Sequence, residues 1–148
     1  MARRLRVMRT QMDMRWRRTS SSRKSSPLVV RTHKHSVFFS GDTGLTNDYT
    51  AMHEHFAKFD QVMPDVGAFH PSSGDLHLGP ERALAALARL GGGAFLPLHR
   101  GMFSLALHDW DAPGEMLLGF GPKQGMQLVM ARLGEAVEPA CVETLTPW

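Results

Sequence analysis

The chain has 148 residues, enough for one ordinary domain with a modest core. Its 43% hydrophobic and 21% charged content excludes a fully disordered or collagen-like chain, and no apolar run approaches the roughly 20 residues of a membrane-spanning helix. A single cysteine, Cys141, excludes an internal disulfide, so a reducing, cytoplasmic compartment is the default expectation.

Charge divides the chain in two. Residues 1–34 carry eleven Lys/Arg against one acid, Asp13, whereas residues 35–148 carry six Lys/Arg against thirteen Asp/Glu. The split predicts a basic head (1–34) and an acidic body (35–148). Up to Pro27 the head is mainly Arg, Met, Ser and Thr, with Trp16 as its one aromatic residue. Apolar residues too scattered to form a helix or strand face predict disorder there. Clustered arginines suit phosphates, which makes nucleic acid or an anionic membrane one class of partner for the head. An Arg- and Ser-rich organelle-targeting peptide is a second reading. A tail with no selected role, including one fused by a start-codon or reading-frame artefact, is the third.

The body is regular. Residues 36–40, Ser-Val-Phe-Phe-Ser, form a β-branched and aromatic run stopped by Gly41 and predict a buried strand. Thr46 or Asn47 can cap a helix running to about Phe59, with Tyr49, Met52, His53 and Phe56 at helical spacing. Residues 61–69 predict a second strand, although Pro64 interrupts its donors. Pro80 opens a helix that continues to Leu90 and ends at three glycines, 91–93. Residues 94–98 predict a third strand, residues 110–118 a helix with Pro113 in its first turn, and residues 126–130 a last strand. Alternating strands and helices define an α/β fold class.

Polar residues follow the strands. Asp42 lies after the first, in Gly41-Asp42-Thr43-Gly44; His70 after the second, with His77 beyond it; His99 after the third, before Arg100 and Gly101. Carboxyl ends of strands in α/β sheets share one rim, where ligands bind, so these residues can converge from distant positions. Carboxylate and imidazole suit Zn²⁺ and similar ions. Each also has a plainer role: Asp42 as a turn former, His70 as a loop closer, His77 as a helix cap, His99 as a satisfied core histidine. His53 and His55, two apart on a helix, point to different faces, and His33 and His35 have no carboxylate or further histidine beside them.

Four ordered blocks carry a resemblance. They are Phe38-Phe39-Ser40-Gly41-Asp42-Thr43-Gly44, then Asp65-Val66-Gly67-Ala68-Phe69-His70-Pro71, then His77-Leu78-Gly79-Pro80-Glu81, and last Pro97-Leu98-His99-Arg100-Gly101-Met102-Phe103. Over about residues 35–140 the chain resembles the carboxyl-terminal half of a metallo-β-lactamase-fold hydrolase. It is most similar to the branch containing N-acyl-phosphatidylethanolamine-hydrolysing phospholipase D. The resemblance implies half of a four-layer αββα sandwich, a two-zinc site, and hydrolysis of phosphodiester or phospholipid-like substrates. It also implies that Asp42 bridges the metals, that His99 is the last histidine ligand, and that His77 is a catalytic residue near the substrate.

Two departures qualify these expectations. The family's amino-terminal His-x-His-x-Asp-His motif is absent from the eight histidines, and His99-Arg100-Gly101-Met102-Phe103 replaces the usual His-Trp-Gly-Thr-Phe. A truncated hydrolase, impaired alone, is therefore expected, with self-association through an uncovered sheet face. The alternative is a non-catalytic remnant or a basic-armed binding module.

Overall fold

The computed structural model describes residues 7–8, 27–104 and 106–138. They contain a five-stranded sheet whose spatial order follows the chain: β1 (Val7–Met8), β2 (Leu28–Arg31), β3 (Ser36–Phe39), β4 (Gln61–Met63) and β5 (Ala94–Phe95). The first two pairings are antiparallel; β3–β4 and β4–β5 are parallel. Parallel neighbours need crossovers, supplied by helix α1 (Asp48–Phe56) and helix α2 (Gly79–Arg89). A third helix, α3 (Ala112–Phe120), follows β5.

The register explains the core. Val29, Phe38, Val62 and Phe95 are cross-strand partners in one continuous row, and each is at most 1% exposed. Residues aligned in this way share a face. On that face pack Tyr49, Met52 and Phe56 of α1, Ala83, Ala86 and Leu87 of α2, and Leu117 of α3. Neighbouring rows contain Leu28, Val30, Val37, Phe39 and Met63, all half-buried.

Several expectations change; among them, the strands expected at 61–69 and 94–98 shorten to β4 and β5. Residues 28–31, placed in the disordered basic head, form β2: Leu28, Val29 and Val30 supply an apolar strand that pairs with all of β3. Val7–Met8, also in the head, pairs with β2, while residues 1–6 and 9–26 lie outside the described residues. Helix α1 stops at Phe56 rather than Phe59, because Ala57 turns into the left-handed region (φ +58°). Arg31 Nη2 donates to the Phe56 carbonyl, and Phe59 packs on Phe38 with ring centroids 5.5 Å apart. The expected last strand at 126–130 contracts to one parallel bridge between Leu128 and Phe95, since β5 is only two residues long and Pro97 closes it.

The helix ends follow local chemistry. Asn47 is the N-cap residue of α1 but makes no side-chain cap; Thr46 Oγ1, one residue earlier, accepts the Asp48 N–H at 3.2 Å. After α2, Gly91 and Gly92 turn at positive φ, and their N–H groups return to the carbonyls of Ala88 and Leu87.

Candidate metal centre

The parallel strands continue past their regular hydrogen bonding toward the site. The Leu96 N–H donates to the Val62 carbonyl, Leu98 N–H to Pro64 and Val66 N–H to Leu98, so residues 64–66 run beside 96–98. Pro64, whose carbonyl faces the β5 extension, has no N–H to give on that side. On the other side, toward β3, the Asp65 N–H goes to the buried Ser40 Oγ at 2.9 Å. Regular pairing ends there, and Asp65 is held between the ends of β3 and β5.

Asp65 is 0% exposed, and both its oxygens accept hydrogen bonds. Oδ2 accepts from His77 Nδ1 at 2.5 Å. Oδ1 accepts from His99 Nδ1 at 3.1 Å and from the Gly67 N–H at 3.2 Å. Burial pushes the Asp65 carboxyl above the usual carboxylate range, opposed by the hydrogen bond and charge of His77 and then by His99. Asp42, on the exposed side, places Oδ1 3.2 Å from the same His99 Nδ1. One donor atom from each of Asp42, Asp65, His77 and His99 lies within 4.8 Å of the others, a group that could hold a metal ion.

Backbone conformation aims these groups. Gly41 turns at φ +62°, bringing Asp42 round the end of β3. His99 itself occupies the left-handed region at φ +56°, where a residue other than glycine stores strain of about 1–3 kcal/mol. The segment after β4 passes so close that a Cβ on Gly67 would sit 1.5 Å from the His99 carbonyl oxygen. Gly44 approaches the Asp75 carbonyl in the same way, seating the Asp42 turn against the loop that carries His77.

Three sequence-selected residues, Asp42, His77 and His99, thus meet in one cluster. His70 stands outside it: its Nδ1 accepts the Ser72 N–H at 3.2 Å and starts a short 3₁₀ turn, Pro71–Ser73. His77 does not cap α2, whose start has no side-chain cap. Arg100, beside His99, donates from Nη2 to the Ala131 carbonyl at 3.0 Å, and burial lowers its pKa from the ordinary value. Cys141 lies outside the described residues.

Asp65 went unassigned in the sequence because it sits inside an apparent strand. Its signal was an acid within the otherwise apolar run Val62-Met63-Pro64-Asp65-Val66, a position where an acid must find partners.

The cluster opens into a pocket of about 700 Å³. Leu96, Pro97, Met102, Phe103 and Leu133 give it an apolar wall, and Arg100 and Arg132 are its cations.

An α/β sheet with Asp and His donors gathered at the ends of its parallel strands is an architecture that can hold a metal ion. Residues 2–100 match the family described as the beta-lactamase superfamily domain, and the chain belongs to that superfamily. It is 32% identical over 117 residues to uncharacterized protein Rv0906 of Mycobacterium tuberculosis, covering 77% of this chain and 32% of that one. It is also 32% identical over 71 residues to a UPF0173 metal-dependent hydrolase of Methanocorpusculum labreanum, covering 48% and 29% respectively. The chain thus spans about a third of the length of these curated relatives.

Two solved structures share the fold. An isothiocyanate hydrolase from Delia radicum gut bacteria superposes with a TM-score of 0.59 at 21% identity, over 78% of this chain and 44% of that one. Igni18, a metallo hydrolase from Ignicoccus hospitalis, gives 0.56 at 19% identity, over 75% and 44%. Among the described residues, no helix is long and apolar enough to cross a membrane.

Proposed function

We propose that this chain carries part of a zinc centre in a hydrolase of the phospholipase D-like branch, acting on phosphodiester or phospholipid-like substrates. In this reading Asp42 and His99 are metal ligands and His77 works beside the substrate. The observation that carries it is the convergence of four Asp and His donor atoms within 4.8 Å at the mouth of a pocket. The Asp42 carboxylate and the His99 imidazole are donor types that fit zinc. When bound, zinc lowers the pKa of a coordinated water to about 7 and offsets charge on a phosphoryl oxygen.

The chain's own residues supply the rest. Asp42, exposed on the pocket side, presents a carboxylate able to bridge two ions, as in the complete family. His77 donates from Nδ1 to Asp65, which leaves Nε2 able to accept a proton from a substrate or water. The apolar wall and the cations Arg100 and Arg132 suit an anionic amphiphile, whose tail and phosphate need opposite surroundings. The sequence holds no His-x-His-x-Asp-His motif, so on this reading Asp42 and His99 supply part of the ligand set and the chain alone is an impaired hydrolase.

Zinc titration of the purified chain by calorimetry, with metal analysis after dialysis, tests this reading. Binding that weakens at least about 10-fold in both Asp42→Ala and His99→Ala supports it. Where zinc-dependent cleavage of a chromogenic phosphodiester is measurable, His77→Ala should lower it by about 10²-fold or more while leaving zinc content intact. A protein that takes up no zinc, indifferent to both ligand substitutions, overturns the reading in favour of a non-catalytic remnant or binding module.

A further inference from the structure

We propose that Asp65 is a positioning residue that fixes the tautomer of two imidazoles at once, holding His77 and His99 as Nδ1–H forms whose lone pairs lie on Nε2. Their duties as proton acceptor and metal ligand rest on the function proposed above; the tautomers themselves do not.

The geometry assigns the protons. A carboxylate accepts only, so the contacts of 2.5 Å from His77 Nδ1 and 3.1 Å from His99 Nδ1 place hydrogen on both Nδ1 atoms. Asp65 holds a third donor as well, because Oδ1 also receives the Gly67 N–H. Fully buried, it has no water to replace these donors, and an unpartnered carboxylate there would be costly. Asp65 therefore stands behind the cluster as the acceptor for its histidines, although one of its oxygens falls within the same 4.8 Å group. Asp42 reaches the His99 Nδ1 from the solvent side, with a side chain that is 61% exposed.

His70 supplies an internal contrast. Its Nδ1 accepts the Ser72 N–H, which leaves hydrogen on Nε2, the opposite tautomer only seven residues from His77. A shared buried carboxylate thus gives two histidines from different loops the same polarity. Their Nε2 atoms become the nitrogens that can receive a proton or a cation, as occurs wherever a carboxylate orients a ligating imidazole.

The test is long-range proton–nitrogen NMR of ¹⁵N-histidine-labelled, metal-free protein at about pH 9, above the ordinary imidazole pKa of about 6.5. The wild-type chain should show His77 and His99 as Nδ1–H tautomers and His70 as Nε2–H. Asp65→Asn, similar in shape, replaces one accepting oxygen with a donating amide, so at least one of the two imidazoles should change tautomer. Its zinc affinity, measured separately by calorimetry, should fall about 10- to 100-fold. An Nε2–H signature for either His77 or His99 in the wild type overturns the inference, and this reading needs no variant to fold. Unchanged tautomers in an Asp65→Asn protein that keeps a native amide spectrum also overturn it. Correct tautomers without zinc uptake leave this inference standing and remove the proposed metal centre; zinc uptake with the wrong tautomers does the reverse.

Discussion

Thr43 follows Asp42 directly, and its Oγ1 lies 2.7 Å from the Tyr49 hydroxyl in a buried hydrogen bond. This bond ties the Asp42 turn to the first turn of α1. Burial raises the Tyr49 pKa, with Asp65 and Asp48 pushing the same way and the Thr43 bond pushing back. A raised folded-state pKa favours the neutral phenol in the native state, so stability is intact below the unfolded tyrosine's pKa of about 10. Above it the unfolded chain ionises first, and stability is lost as pH climbs toward the higher folded value. Tyr49→Phe should cost about 1 kcal/mol at neutral pH through the lost hydrogen bond, and its deficit should shrink above about pH 10, where only the wild type loses stability this way. Urea unfolding at paired pH values measures the difference. Tyr49 is the chain's single tyrosine, so phenolate absorbance reports its titration directly.

Individual residues also show what could be read without coordinates. Asp42 and His99 were legible because each ends a strand, and strand ends in such a sheet face one rim. His77 was legible only through the resemblance, since the spacing from His70 to His77 does not tell which of the two turns inward. The structure separates them by partner: Ser72 holds His70, and Asp65 holds His77. Asp65 was not legible, because its importance depends on parallel pairing with Leu98, thirty-three residues away, and no local pattern encodes that register.

At the level of elements, the site depends on how closely two strand extensions run. Elements α1, α2, α3 and β3 followed from hydrophobic period, caps and breakers, while β4 and β5 came out shorter than their apolar runs. Pro64 and Pro97 truncate the hydrogen-bonded ladder without ending the parallel course of the chain. Gly67 permits the approach that follows. Gly67→Ala would put a methyl 1.5 Å from the His99 carbonyl oxygen, so one backbone must move, and the Val66–Leu98 bond that sets Asp65 beside His99 is the nearest to break. The expected outcome is a loss of about 1–3 kcal/mol in chemical denaturation, accompanied by weakened zinc binding. Gly119→Ala is the control: it lies in α3 with open space around it, so alanine should stabilise by about 0.5–1 kcal/mol and leave zinc binding unchanged. Equal effects from the two substitutions would show that the close approach does not govern the site.

At the scale of the whole molecule, the two faces of the sheet are unequal. The Val29-Phe38-Val62-Phe95 row is sealed under three helices, whereas Leu28, Val30, Val37, Phe39 and Met63 in the neighbouring rows remain half-buried. These side chains alternate with the sealed row along β2 and β3, so they point to the opposite face. Apolar residues that keep contact with water favour association, because each 100 Å² removed from water is worth about 2.5 kcal/mol. We propose a second copy of the chain, offering the same face, as the occupant, since a two-fold pairing sets one patch against the same patch of its partner. Sedimentation velocity should therefore show mass above the monomer that grows with protein concentration. The double substitution Val37→Lys and Phe39→Lys should return the protein to monomer by bringing like charges together across the pairing, while leaving the Phe38 row and the Asp65 cluster in place. Zinc binding serves as the check that the site has survived. A wild-type protein that stays monomeric across the concentration range, or a lysine variant that associates as strongly as its parent, would remove this face from the account of how the chain assembles.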